Sequence, residues 1–139
     1  MIDGDVYIGG RFEYIDGVYV RRAARWNGTS WSSLANGLYH EGISENDATV
    51  HSIVGLNGLA YVGGEIGEVW NRDHLAENVD VNHLAVYDPA TDIWSDVGGG
   101  TSFRVRALAA DGNALYVGGG FFTAGGNTVN GIAKWENGG

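Results

Sequence analysis

The chain has 139 residues, with no cysteine, one proline, 24 glycines and a net charge of −9. That charge argues against a phosphate backbone or an anionic membrane surface as partner, and no apolar run is long enough to span a bilayer. The absence of cysteine leaves the redox compartment open.

In chain order, the first apolar phrase is VYIGG (6–10). It follows the start so closely that MIDGDVYIGG is no signal peptide, so any export signal is expected to have been removed or never present. RRAARW (21–26) and WSSL (31–34) come next, then the acidic stretch ANGLYHEGISENDAT (35–49). VHSIV (50–54), AYVGG (60–64), NHLAVY (82–87) and WSDV (94–97) follow, and finally VRALA (105–109), LYVGG (115–119) and NGIAKW (130–135). The Tyr-x-Gly-Gly phrase recurs after 54 residues (Gly9 to Gly63) and again after 55 (Gly63 to Gly118). A period near 50 is a signature of arrayed β-units. The segments are rich in Val, Ile, Tyr and Trp and are separated by Gly, Asn, Asp and Ser, which reads as strands joined by tight turns. No stretch carries apolar positions at helical spacing, so no helix of consequence is expected.

Four strands per repeat is the arithmetic of a β-propeller blade. Alternation within the second strand points Tyr7, Tyr61 and Tyr116 to one face, and the flanking Val6/Ile8, Ala60/Val62 and Leu115/Val117 to the other. Both faces are apolar, so the strand does not belong to a sheet with one wet side. The Gly-Gly pairs, together with Trp26, Trp31, Trp94 and Trp135, are read as architecture. Arg21, Arg22 and Arg25 alternate with apolar positions in a third strand.

LAYVGG through LAVYDPATDIWSDV (59–97) resembles a kelch repeat, with its double glycine, its Tyr87-Asp88-Pro89 turn and its Trp94 seven residues after the tyrosine. LYVGGGFFTAGGNTVNGIAKWENGG (115–139) resembles related bacterial repeats of the form LYVGG-F-T-AGG-N-IA-W-G. The resemblance spans essentially the whole chain. It implies a kelch-like propeller and an extracellular or cell-surface setting, but it does not fix a function, because such propellers serve as interaction modules, glycan binders, surface proteins and occasional enzymes. The copper site of galactose oxidase, the best-known enzyme among them, needs a cysteine that this chain lacks. The expected layout is one all-β segment over 1–139, with blade one at 5–38, blade two at 48–100 and a partial blade three at 103–139. That is about two and a half blades of four antiparallel strands. An open stack would leave an apolar face and unpaired edges at each end. The ring is therefore expected to be completed by other copies, with a dimer the simplest closure, or by further sequence.

Function is sought where the repeats stop matching. Gly64 to Tyr87 takes 23 residues where Gly10 to Trp26 and Gly119 to Trp135 take 16, an insertion of seven within 65–82. Trp31 to Val50 takes 19 where Trp94 to Val105 takes 11, an insertion of eight within 35–49. In an up-and-down blade both loops emerge on one face, in neighbouring positions, and long loops on a rigid scaffold are where binding usually lives. Trp70 is the one tryptophan that the pattern does not explain. With Arg72, Asp73 and His74 from its loop, and Tyr39, His40, Glu41 and Asp47 from the other, it forms the candidate ligand-binding set. An exposed indole beside acidic and amide groups can stack on a sugar ring and hydrogen-bond its hydroxyls. Two other readings stand beside it: Trp70 as the anchor of its own loop, or as a plug between chains.

The loop carboxylates show no calcium-loop spacing and the four histidines no zinc spacing, so no metal or cofactor is expected. No catalytic residue is assigned. The reading is a non-enzymatic binding module that presents acidic and aromatic loops to a glycan or protein, with no nucleic-acid partner and no membrane insertion. The alternatives are a structural subunit of a surface or multi-protein assembly, and a glycoside hydrolase using Glu41 with Glu68 or Asp73.

Overall fold

In the computed structural model the described residues are 4–39, 48–72 and 78–136, and every regular element among them is a strand. The first of three principal sheets holds β1 (Val6–Gly9), β4 (Ala23–Trp26) and β5 (Trp31–Ser33) in the order β1-β4-β5. The second has four strands: β7 (Thr49–Leu56), β8 (Leu59–Glu65), β11 (Leu84–Asp88) and β12 (Ile93–Asp96), in the order β12-β11-β8-β7. The third holds β13 (Val105–Asp111), β14 (Ala114–Gly119) and β17 (Ile132–Glu136) in that order. All pairings are antiparallel. The all-β expectation holds, and the ten strands anticipated from the repeat are those of the three sheets. Arg21 and Arg22 are a correction. The third strand of the first sheet starts at Ala23, and the two arginines lie buried in the turn before it, with Arg21 Nη1 donating to Glu13 Oε1 at 3.1 Å.

Seven further short strands lie in what the sequence presented as loops. β2 (Tyr14–Ile15) and β3 (Val18–Tyr19) form a hairpin between β1 and β4. β9 (Glu68–Val69) and β10 (Val79–Asp80) lie at the matching place in the chain between β8 and β11, and β15 (Thr123–Ala124) and β16 (Asn127–Thr128) between β14 and β17. β6 (Leu38–Tyr39) joins β9, giving a ribbon of order β10-β9-β6. The repeat extends to single hydrogen bonds. The amides of Gly10, Gly64 and Gly119 donate to the carbonyls of Arg22, His83 and Gly131 at 3.0, 3.1 and 3.0 Å. Those three acceptors all carry positive φ, at 78°, 67° and 73°. Only at the third does the sequence supply the residue that adopts it without cost.

The sheets pack face against face. Ala23, Leu34 and Leu38 share a core with Val50, Val62, Tyr87 and Trp94, while Leu84 of the second sheet shares another with Val105, Leu115, Val117 and Phe121. The first glycine of each pair sets the approach. A Cβ on Gly9 would overlap Val50 Cγ1, and one on Gly63 would overlap Val105 Cγ1, each in the following sheet. The second glycine, at Gly64 and Gly119, lies against the backbone of its own sheet's first strand. That strand's pairing shifts register there, between Val50 and Ser52 and between Val105 and Ala107. Polar contacts cross between sheets too: Val50 donates its amide to the Gly10 carbonyl at 3.0 Å, and Leu108 donates its amide to Ser52 Oγ at 3.1 Å.

The second sheet is covered on both sides, as its two apolar faces require. The outer faces of its neighbours are not: Ile132 is 65% exposed where its counterpart Leu84 is 4%, and Val6 is 38% exposed where Ala60 is fully buried. At Gly118, the third member of the set, the nearest atoms to an added Cβ are 3.9 Å away. None of these glycines has positive φ, so alanine tests the approach without backbone strain. Gly63→Ala is expected to cost about 1–3 kcal/mol through overpacking. In the single chain, Gly118→Ala should be neutral or slightly stabilising, because a strand glycine gives up more entropy on folding than alanine. Urea unfolding of the two variants side by side measures the difference.

Candidate binding cleft

Both insertions spring from the β10-β9-β6 ribbon. In the first and third repeats the second-to-third hairpin turns through two residues, Asp16-Gly17 and Gly125-Gly126. In the second, the connection from β9 to β10 runs from Trp70 to Asn78. The other insertion begins directly after β6, whose Tyr39 pairs with Glu68. The described bases of the two insertions therefore lie side by side. Of the candidate residues, Trp70 and Arg72 are described, and Tyr39 is described by its backbone pairing. His40, Glu41, Asp47, Asp73 and His74 lie outside the described residues.

Trp70 is held by its main chain. Its amide donates to the Gly37 carbonyl at 2.9 Å, and its carbonyl accepts the Asn36 amide at 2.8 Å. Its indole Nε1 donates to Glu68 Oε1 at 2.6 Å. These bonds anchor the loop, and they leave the half-buried ring on the wall of a cleft of about 380 Å³ shared with Tyr19, Val20, Ser33, Ala35, Asn36 and Arg72. Tyr19 comes from the neighbouring hairpin, 48% exposed and packed edge-on to Tyr14 at 5.2 Å between ring centroids.

Beneath the cleft two side chains fasten the insertion to the second sheet. Asn71 is buried, and its amide group does the work of a strand neighbour: Oδ1 accepts the Trp94 amide at 2.6 Å and Nδ2 donates to the Trp94 carbonyl at 3.3 Å. It thereby satisfies edge groups of β12 that would otherwise be left without a partner. Asp92 is the second fastener. Its Oδ2 accepts Arg72 Nε at 2.6 Å, and its Oδ1 accepts both the Ala35 amide at 3.1 Å and the Tyr87 hydroxyl at 2.5 Å. Burial acts to raise the Asp92 carboxyl, but the bonds from Tyr87 and Arg72 outweigh it and hold the group below its ordinary value. Tyr87 moves the opposite way, pushed up by burial and by its bond to the carboxylate.

Chemically, the cleft offers two aromatic surfaces, the amide of Asn36, the hydroxyl of Ser33, and a guanidinium whose charge Asp92 offsets. That set suits a neutral, hydroxyl-rich or amide-rich ligand better than an anion. No group of three or more His, Cys, Asp or Glu able to hold a metal occurs among the described residues. Nor is any helix there long and apolar enough to cross a membrane. Sequence reasoning missed Tyr19, Ser33 and Asn36 as cleft residues and Asn71 and Asp92 as supports. Only the first had a local signal: Asp16-Gly17 between Tyr14-Ile15 and Val18-Tyr19 is a hairpin pattern. The chain matches no protein-family model and no curated protein.

The direction at Asp92 fixes a pH dependence. A carboxyl lower in the folded than in the unfolded chain stabilises the fold above the unfolded value of about 4. That contribution disappears as pH falls through the lower folded value. Asp92→Asn should therefore be less stable than the parent at pH 7. The gap should narrow as pH falls below about 4, measured as urea midpoints from pH 7 to 3.

Proposed function

We propose that the protein is a non-enzymatic binding module whose three sheets are successive blades of a kelch-like propeller, and that the Trp70 cleft is its ligand site. The observation that carries the reading is the convergence of Trp70 and Arg72, from the insertion that breaks the repeat, with Tyr19 of the β2-β3 hairpin on one cleft. Support for the blades comes from the repeat-matched hydrogen bonds, from the glycine–valine approaches made in succession, and from a central sheet that needs cover on both sides. The exposed outer faces of the first and third sheets support completion of the ring by other copies of the chain, a dimer being the simplest arrangement. An extracellular or cell-surface setting follows from the kelch resemblance alone.

The ligand class proposed is a neutral glycan, with a protein side chain of similar character as the second choice. Tyr19 and Trp70 would supply ring-stacking surfaces; Asn36 and Ser33 would supply hydrogen bonds to hydroxyls. The glycosidase alternative has less behind it, because Glu68 is engaged by the Trp70 indole, and Glu41, which it pairs with Glu68 or Asp73, falls outside the described residues, as does Asp73.

Calorimetric titration with neutral hexose oligosaccharides tests the site. Trp70→Ala should weaken binding at least tenfold, or about 1.4 kcal/mol, with the mass by light scattering unchanged. A changed mass would assign Trp70 to an interface between chains, and unaltered binding would remove it from the site.

A further inference from the structure

The bonds already made around the Trp70 cleft decide which polar atoms remain for a ligand. The indole Nε1 donates to Glu68 Oε1 at 2.6 Å, so Trp70 offers the cleft its ring and no donor. Ser33 Oγ donates its single proton to the Ala35 carbonyl at 2.7 Å and keeps only acceptor capacity. Asn36 Nδ2 donates to the Asn71 carbonyl at 3.1 Å. A carbonyl can only accept, so this bond fixes the orientation of the amide and leaves Asn36 Oδ1 as an acceptor.

Arg72 is the principal donor left. Its Nε is held by Asp92 Oδ2 at 2.6 Å and its Nη2 reaches Ser33 Oγ at 3.5 Å, while Nη1 meets no acceptor among the described residues. The guanidinium is thus clamped along one edge and 39% exposed at its side chain. Apolar surface lies in the same cleft. Val20 and Ala35 line it although each is only 1% exposed, so the patch they present is small. Charge narrows the choice further. Asp92 offsets Arg72, and the Glu68 carboxylate lies against the indole, so an anion would meet repulsion where a neutral acceptor meets none.

We infer, building on the reading of the cleft as a glycan site, that it selects sugars bearing an acetamido group. A secondary amide answers these partners one by one. Its carbonyl accepts from the Arg72 fork, its N–H donates to Asn36 Oδ1, and its methyl lies on the Val20–Ala35 patch beside the Trp70 ring. A hydroxyl in its place has a single polar atom to share between that donor and that acceptor. It also leaves the apolar patch against water. Arg72 is then the residue that sets specificity, while Tyr19 and Trp70 supply stacking that any pyranose ring can use.

Matched sugars that exchange acetamido for hydroxyl at the second carbon of the ring provide the test. Calorimetric titration of the full chain compares N,N′-diacetylchitobiose with cellobiose, and methyl N-acetylgalactosaminide with methyl galactoside. In at least one pair the acetamido sugar should bind about tenfold more tightly. Equal affinities within both pairs would overturn the inference and leave the glycan reading standing, whereas no binding by any of these sugars would remove both. N-acetylglycine methylamide carries the same amide without a sugar ring. If it binds as tightly as the acetamido sugars, the site reads peptide amides and the inference fails. Arg72→Lys keeps a positive charge opposite Asp92 but loses the fork, so it should abolish the preference while changing the affinity for the unacetylated sugar less than about twofold. A preference that survives this substitution would overturn the role of Arg72.

Discussion

Two methyl groups and two missing ones govern this molecule. Val50 Cγ1 lies where a side chain on Gly9 would begin, and Val105 Cγ1 where one on Gly63 would begin. Each contact lets the backbone of one sheet come against the first strand of the next. Only at that spacing do Val62, Leu84, Tyr87 and Val117 lose their water. Protein interiors tolerate little free volume and little overlap, so an approach of this kind is demanding: one methylene on the wrong side separates the sheets or strains both. The third glycine in the series, Gly118, has the same sequence context and no such neighbour. The constraint therefore belongs to the stack rather than to the strand.

A second layer of organisation is polar and holds the insertion in place. Asn71 and Asp92 satisfy backbone groups at the sheet's outer edge and in the turn after β5, and Arg72 and Tyr87 complete the coordination of the carboxylate. Buried polar groups are costly unless paired, and here the pairing turns that cost into position. Trp70 and Arg72 are fixed relative to Tyr19 because the residues below them are fixed to the second sheet. The cleft thus draws Tyr19 and Ser33 from strands and Ala35 and Asn36 from the turn after β5, with the insertion contributing Trp70 and Arg72.

Much of the architecture could be read directly. The Tyr-x-Gly-Gly phrase and the spaced tryptophans located ten strands because each segment recurs at the repeat spacing and is rich in apolar, strand-favouring residues. Among the short strands, Thr123-Ala124 and Asn127-Thr128 have no apolar pattern and pair only through the turn between them, whereas Tyr14-Ile15 and Val18-Tyr19 did carry a hairpin signal in Asp16-Gly17. Arg21 and Arg22 were assigned to a strand because their neighbours alternate, although their positive φ places them in the turn ahead of it. Trp70 stood out because it broke the repeat. Asp92 did not, since an aspartate after Pro89-Ala90-Thr91 looks like any turn residue, and the three donors that meet it come from positions 35, 72 and 87. Convergence across that much chain leaves no local trace.

The claim that face-to-face approach organises the fold is tested most directly by a double-mutant cycle between Gly63 and Val105. Val105→Ala removes the methyl that a side chain at 63 would strike, so the two substitutions should relieve one another. The double variant should be more stable than the sum of the single effects by about 1 kcal/mol or more, within the range for residues in contact. Strict additivity in urea unfolding would contradict the account, because it would mean that the two positions do not meet.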